Sequence, residues 1–202
     1  MSKGQLYILS GPSGSGKDTV LQEFFKIIPD VKFSISCVTR PMREGETQDG
    51  KYHFISREQF VSMIENDELL EYNEYVGNFY GTPKAPVNDC VSAGEDMILE
   101  IDINGAKKVK EKVPEAVSIF IMPPSFSELR RRLSSRGTDS AEVIERRLNT
   151  ALREIQYAHS YDYIVVNDNV SVAAQDIAHI ILSQRLKHQR QKQIIDEVLE
   201  KC

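Results

Sequence analysis

The stretch with the clearest chemical potential is a glycine-rich segment near the start of the chain, GPSGSGKDT at residues 11–19. Its glycines and lysine fit the spacing G-x-x-x-x-G-K. In such a loop the backbone N–H groups face phosphate oxygens, a following helix adds its positive N-terminus, and the lysine bridges the outer phosphates. The spacing predicts binding of a nucleoside triphosphate by Gly11, Pro12, Ser13, Gly14, Ser15, Gly16, Lys17, Asp18 and Thr19.

Asp18 stands where this pattern has a serine or threonine, whose hydroxyl normally ligates Mg²⁺. Its carboxylate is a hard oxygen donor that would hold the ion directly or through water, and Thr19 supplies a hydroxyl one residue later. An acid at a helix N-terminus also interacts favourably with the helix dipole. Both roles for Asp18 stay open at this stage, with Mg²⁺ expected as the cofactor.

The elements around the loop follow from apolar spacing. An apolar run at 6–9 predicts a buried strand before the loop, and helical spacing from Val20 to Ile28 predicts a helix that Pro29 ends. Further runs at 97–103, 117–122 and 163–166 predict interior strands, and helical patterns separate the last two. This alternation predicts an α/β fold with a parallel sheet core.

Residues 33–84 interrupt that rhythm. The segment is rich in aromatic and turn residues, which predicts small strands inserted into the core as a substrate-binding subdomain. Arg40 and Arg43 lie three apart in it, and guanidinium groups bind a phosphate dianion bidentately. With the hydroxyls of Tyr52 and Tyr80 they form a candidate phosphate cup.

Two carboxylates lie near the end of the predicted strand 97–103. Alternation puts Glu100 and Asp102 on one face at the carboxyl end of that strand, where ligands of α/β proteins bind. They are candidates to hold metal-bound water or the acceptor of a phosphoryl group.

Composition excludes several classes of function. The chain has 202 residues and a formal net charge of −5, which argues against nonspecific binding to nucleic acid or to an anionic membrane. No apolar run approaches the roughly 18 residues of a membrane span. Three scattered cysteines in no metal-ligand spacing favour a reducing cytoplasm over a disulfide framework.

Several separated strings together resemble the guanylate kinase family, from about residue 4 to residue 183: SCVTRPMREGE, DGKYHF, ELLEYNEYVGNFYGTP, ILEIDINGAKKV, RRRLSSRGTDS and YIVVNDN. The resemblance implies a P-loop nucleoside monophosphate kinase fold that transfers the γ-phosphoryl group of ATP to GMP with Mg²⁺. It also implies a core (1–32, 85–129 and 150–183), a GMP-binding subdomain (33–84) and a helical lid (130–149).

The resemblance further implies roles for individual residues. Glu71 would accept the two donors of the guanine edge, helped by the hydroxyls of Ser36 and Thr82. From the residues alone, Glu71 also fits a solvated surface acid in the run Glu68, Glu71 and Glu74. Arg40, Arg43, Tyr52 and Tyr80 would hold the GMP phosphate. Lid arginines Arg132, Arg136 and Arg147 would act with Lys17 in phosphoryl transfer. Glu100 and Asp102 would belong to the site, and Asn167 would lie near adenine.

The sequence departs from the family pattern at two further places. Val38 replaces a small hydroxyl residue, and Asp49 occupies the usual glycine position ahead of Tyr52, with Gly50 one residue late. The turn before Tyr52 is therefore in question.

Two other functions compete with a GMP kinase: a noncatalytic module that binds phosphopeptides, and a sister kinase for another acceptor. The intact loop argues against the first, and Glu71 with Ser36 argues against a sugar phosphate. The polar segment 184–202 predicts a C-terminal helix, either solvated or joining copies of the chain in a homo-oligomer.

Overall fold

The computed structural model describes residues 3–135 and 140–200. Its strands are β1 (Leu6–Ser10), β2 (Lys32–Phe33), β3 (Ser36–Val38), β4 (Tyr52–Phe54), β5 (Leu69–Tyr75), β6 (Asn78–Pro83), β7 (Met97–Glu100), β8 (Val117–Met122) and β9 (Tyr163–Val166). Its helices are α1 (Lys17–Ile27), α2 (Arg57–Glu65), α3 (Lys84–Ser92), α4 (Ile103–Lys112), α5 (Phe126–Ser134), α6 (Ala141–Gln156), α7 (Val170–Arg185) and α8 (Lys192–Leu199).

The strands form two sheets. Five strands lie in the order β2-β7-β1-β8-β9, and the β2–β7 and β8–β9 pairs are parallel. Four strands form a second sheet in the order β4-β3-β6-β5, with β6 antiparallel to both of its neighbours. The predicted α/β core is confirmed, because apolar runs buried on both faces become parallel strands joined by helices.

The chain divides into two compact units. One comprises residues 1–2, 9–31 and 118–202, and the other comprises residues 3–8 and 32–117. In the first, α1 packs on α7, and a cluster of Leu129, Leu133, Leu148 and Ala151 joins α5 to α6. In the second, Cys37 of β3, Phe60 of α2 and Leu69 of β5 form a buried apolar cluster.

Two predicted elements differ from the structure. The strands predicted at 117–122 and 163–166 are confirmed, but the one predicted at 97–103 ends at Glu100. It ends there because Asp102 caps α4: its side chain accepts a hydrogen bond from the N–H of Gly105. The segment 184–202 is not one helix either, since α7 runs to Arg185 and α8 begins only at Lys192.

The turn before Tyr52 tolerates its missing glycine. Asp49 has a φ of 61°, the left-handed conformation for which glycine is the default and aspartate one of the few alternatives. Its N–H donates to the Tyr52 carbonyl oxygen, and its carboxylate lies 2.5 Å from His53 Nδ1. The aspartate therefore fills the glycine position in backbone shape and adds a side-chain contact.

Helix α8 exposes apolar residues, with Ile194, Ile195, Val198 and Leu199 all open to solvent. The homo-oligomer through this helix stays a prediction.

Among residues 3–135 and 140–200, no helix combines the length and the apolar character that crossing a membrane requires.

Candidate functional site

The glycine-rich loop lies between β1 and α1, as its spacing predicts. Gly16 is the N-cap residue of α1 and has a φ of 87°. A Cβ atom at this position would meet the Asn167 side-chain nitrogen at 2.5 Å, so both conformation and space require glycine. The first turn of α1 thus directs its N-terminus into the loop, which is the arrangement that favours an anion.

A side chain from beyond β9 anchors the middle of the loop. Asn167 is 2% exposed, and its amide nitrogen donates to the Ser15 carbonyl oxygen at 2.7 Å. Because the carbonyl and N–H of a trans peptide point in opposite directions, this bond turns the Gly16 N–H away from Asn167. Asn167 therefore sets the direction of a loop N–H group.

Lys17 and Arg147 also contact the loop. Lys17 Nζ donates to the Gly11 carbonyl oxygen at 2.6 Å and lies 3.3 Å from that of Pro12. Arg147, which lies on helix α6, donates a hydrogen bond to the Ser13 hydroxyl at 2.7 Å. Two of the basic residues expected in phosphoryl transfer thus lie at the predicted triphosphate loop.

Arg132, at the end of α5, lies at the same loop. Its Nη2 donates to the Asn167 carbonyl oxygen at 2.9 Å, and its Nε donates to Glu128 at 2.8 Å. Its Nη1 lies 3.4 Å from the Ser15 carbonyl oxygen. Arg136, the third lid arginine expected from the sequence, lies outside the described residues.

Of the two candidate metal ligands, Asp18 lies in the first turn of α1 and Thr19 follows it, and both are exposed. Among the described residues there is no group of three or more His, Cys, Asp or Glu side chains arranged to hold a metal ion.

The unit that contains the four-stranded sheet carries the other expected residues. Arg40 is 8% exposed, and its two terminal nitrogens each lie 2.6 Å from a carboxylate oxygen of Glu46. The rings of Tyr52 and Phe54 flank the guanidinium, each with its centroid 5.3 Å from the central carbon. The hydrogen bonds from Arg40 lower the pKa of Glu46 to about 2.

The other phosphate-cup residues gather around Arg40. The Tyr52 and Tyr80 rings meet edge to face with centroids 6.2 Å apart. The hydrogen bond with Glu46 is the main cause that raises the pKa of Arg40, and a hydrogen bond with Tyr80 adds to it. The Arg43 N–H donates to Glu46 at 2.8 Å, while the Arg43 residue is exposed. Ser36 pairs with Tyr52 across the parallel strands β3 and β4.

Glu71 lies opposite Thr82 in the β5–β6 hairpin and is only 6% exposed. The Thr82 hydroxyl donates to Glu71 Oε1 at 2.7 Å. Burial raises the pKa of Glu71 to about 7, against the opposing effect of the Thr82 hydrogen bond. The interpretation of Glu71 as a solvated surface acid is therefore wrong, and a buried carboxylate of this kind is typical of a functional site.

The two acids expected at the end of a strand have different surroundings. Glu100, the last residue of β7, lies 3.0 Å from Lys51 Nζ. Asp102 is exposed, caps α4 and accepts a hydrogen bond from the Asn73 amide at 2.9 Å. The expectation that both stand on one face of a strand is wrong, since only Glu100 belongs to the strand.

Sequence reasoning missed three residues of this region. Glu46 holds Arg40, Asn73 holds Asp102, and Gly105 lies against Glu71. The only signal for Glu46 is an acid six residues after an arginine, within a run of charged and turn residues. Nothing in the spacing pairs Gly105 with Glu71, which lies 34 positions earlier.

The sheet core carries a phosphate loop after its first strand, and basic side chains lie at that loop. A second group of arginine and tyrosine side chains lies in the unit with the four-stranded sheet. Together these features define the class of P-loop kinases that act on small nucleotides. Residues 3–184 match the family model described as guanylate kinase. The chain belongs to the guanylate kinase family.

Individual relatives agree with the family match. A guanylate kinase of Desulfitobacterium hafniense is 47% identical over 96% of this chain and 98% of its own length. One from Neisseria meningitidis serogroup A is 46% identical over 98% and 97%. The crystal structure of guanylate kinase from Anaplasma phagocytophilum aligns with a TM-score of 0.76 and 36% identity, covering 94% of this chain and 90% of that one.

Proposed function

We propose that this chain transfers the γ-phosphoryl group of ATP to GMP, giving ADP and GDP, with Glu71 as the residue that selects guanine. The observation that carries the assignment is a buried carboxylate held by the hydroxyl of Thr82. Family membership supports the reaction.

The chemistry of the base favours this acceptor. Guanine presents two adjacent donors, N1–H and the exocyclic amine, and an ionised carboxylate accepts both at once. Adenine has no such pair, so it would leave the buried Glu71 without its partners. Ser36 and Thr82 are proposed to add hydroxyl contacts to the base.

The proposed phosphate site of GMP consists of Arg40, Arg43, Tyr52 and Tyr80. Arg40 is fixed at its two terminal nitrogens by Glu46 and between two rings, so its orientation is set before a ligand arrives. A preset guanidinium loses less conformational freedom on binding a phosphate. Glu100 and Asp102 are proposed as further residues of the GMP site.

The proposed transfer is an in-line displacement. An oxygen of the GMP phosphate forms a bond to the γ-phosphorus while the bond to the leaving oxygen of ADP breaks. Such reactions depend on position and electrostatics. The negative charge on the transferred group is proposed to be stabilised by Lys17, Arg132, Arg136 and Arg147. ATP is proposed to be bound by residues 11–19 with Asn167.

Mg²⁺ is the proposed cofactor, bound as its complex with ATP. Asp18 or Thr19 would hold it, since both are exposed oxygen donors at the start of α1 and suit a hard cation. The ion would supply positive charge at the phosphates.

The proposed organisation is a core, a GMP-binding subdomain at 33–84 and a lid at 130–149. The proposed location is the cytoplasm, supported by two free cysteines, Cys37 and Cys90, that are buried and unpaired.

The test compares acceptors. With ATP and Mg²⁺, ADP production is measured for GMP, dGMP, AMP, CMP and UMP in the wild type and in Glu71→Ala. We expect the wild type to favour GMP. Glu71→Ala should lower kcat/KM for GMP by about 10²- to 10³-fold and should change kcat/KM for AMP far less, so the GMP-to-AMP ratio should fall.

Glu74→Ala is the matched control. Glu74 is an acid on the same strand that lies 3.4 Å from Arg57, and its exposed side chain has no part in the proposed pocket. The ratio of GMP to AMP should stay at the wild-type value in this variant. An unchanged ratio in Glu71→Ala would show that the base assignment is wrong.

A further inference from the structure

One face of helix α4 holds the strand that carries Glu71. Lys108 Nζ donates to the Tyr72 carbonyl oxygen at 2.5 Å, and Lys112 Nζ donates to that of Leu70 at 2.7 Å. The two lysines are four residues apart and so lie on one side of the helix, above Gly105 in the same row. Their two bonds fix the backbone of β5 on both sides of residue 71.

Gly105 is the point at which this face meets the Glu71 side chain. A Cβ atom built on Gly105 would lie 2.6 Å from Glu71 Oε2 and 3.1 Å from its carboxyl carbon. Gly105 is buried within α4 and does not have a positive φ. Its backbone conformation therefore does not call for glycine, and glycine is among the least favourable residues inside a helix.

We propose that Gly105 is a specificity-determining residue: the space left by its missing side chain sets where the Glu71 carboxylate lies, and thereby selects a base with two adjacent donors. This inference rests on the proposed role of Glu71. Gly105 acts through the position of the Glu71 carboxylate and makes no contact with the base.

The surroundings identify the group that moves when a methyl group is added at residue 105. The N–H of Gly105 is bound by Asp102 at 2.7 Å, so the first turn of α4 is held in place. The β5 backbone is held by Lys108 and Lys112. The Glu71 carboxylate ends a flexible side chain and is held by one hydroxyl, that of Thr82, so it resists displacement less than the two backbones do.

Gly105→Ala tests the proposal. We expect kcat/KM for GMP to fall about 10- to 100-fold, the effect of misplacing a binding group by up to about 1 Å. Inosine monophosphate keeps N1–H but lacks the exocyclic amine, so its kcat/KM should fall less than that of GMP. The ratio of kcat/KM for GMP to that for inosine monophosphate should therefore decrease. KM for ATP should not change, and the melting temperature should stay equal or rise because alanine favours the helix.

A double-mutant cycle separates this inference from the proposed function. In the Glu71→Ala background, Gly105→Ala should have no further effect on kcat/KM for GMP, because no carboxylate remains to be displaced. An additional loss there, or an unchanged GMP-to-inosine monophosphate ratio in the single variant, would overturn the role of Gly105. Failure of the proposed function shows separately, as an unaltered acceptor preference in Glu71→Ala alone.

If Gly105→Ala alone folds poorly, the double variant decides the case. Recovery of its folding on removal of the Glu71 side chain would place the clash at the carboxylate, as proposed. Poor folding that persists in the double variant would place it elsewhere and overturn the proposal.

Discussion

The phosphate loop and the GMP pocket are built in different ways. The loop is one continuous stretch, and the hydrogen bonds that shape it end mainly on its own carbonyl oxygens, those of Gly11 and Ser15. The pocket draws on strands and helices far apart in the chain, and its contacts join side chains to side chains, as in Arg40 with Glu46. A backbone site can be recognised from spacing, whereas a side-chain site depends on the tertiary fold.

The two regions resemble each other in their arginines, since Arg132 at the loop is paired with Glu128 and Arg40 in the pocket is paired with Glu46. The pocket also keeps Glu71 in a buried position where its ionisation is unfavourable. Binding at the loop should therefore depend on the side chains that anchor its backbone. Binding at the pocket should depend on whether Glu71 is protonated.

Outside Glu71 and its neighbour Gly105, the largest effect is expected where a side chain anchors the loop. In Asn167→Ala the Ser15 carbonyl oxygen loses its 2.7 Å hydrogen bond and keeps the longer 3.4 Å contact with Arg132, so the peptide that presents the Gly16 N–H is held less firmly. Loss of such a buried bond costs about 1–3 kcal/mol, so kcat/KM for ATP should fall about tenfold to a hundredfold. Steady-state kinetics at saturating GMP measure it.

Asn169→Ala is the control for that variant. Asn169 caps α7 by accepting from the N–H groups of Ser171 and Val172, so its loss should lower stability by about 1 kcal/mol without changing KM for ATP. If both asparagine variants lower kcat/KM for ATP equally, Asn167 acts through the general stability of the protein rather than through the loop.

A smaller effect is expected from pH in the pocket. Burial raises the pKa of Glu71 to about 7, and only the ionised carboxylate can accept both guanine donors. As pH falls through this value the carboxylate gains a proton, and kcat/KM for GMP should drop about tenfold by one unit below the pKa. The profile is measured between pH 6 and 8.5 at saturating ATP.

Glu71→Gln isolates this titration from that of the GMP phosphate, whose second proton also leaves near pH 6. The variant should show a weak GMP reaction from which the Glu71 titration is missing. A wild-type profile parallel to that of the variant over the whole range would mean that Glu71 does not control the pH dependence.

The same contrast explains what the sequence revealed. The loop and the strands at 117–122 and 163–166 were predictable because contiguous spacing and apolar runs determine them. The cap at Asp102 carried a usable signal, since aspartate is a preferred N-cap residue, yet the apolar Ile101 and Ile103 beside it favoured a strand. Glu46 and Gly105 carried none, because their partners are set by tertiary packing.

The smallest effect concerns the hairpin that brings Glu71 opposite Thr82. Its two-residue turn is Val76-Gly77, and both residues have positive φ, 49° and 75°. A β-branched residue is strained in this conformation, whereas Asn-Gly is preferred in such turns. Val76→Asn should stabilise the protein by about 1 kcal/mol, a rise of about 2–4 °C in melting temperature.

Val76 is 81% exposed, so its replacement should leave kcat/KM for GMP at the wild-type value. Val76→Ile, which keeps the branched Cβ, should gain no stability and serves as the control. A lower melting temperature in Val76→Asn would contradict the strain assigned to the turn. A gain in stability without a change in GMP kinetics would show that the pocket depends on the Glu71–Thr82 register and not on how tightly the turn closes it.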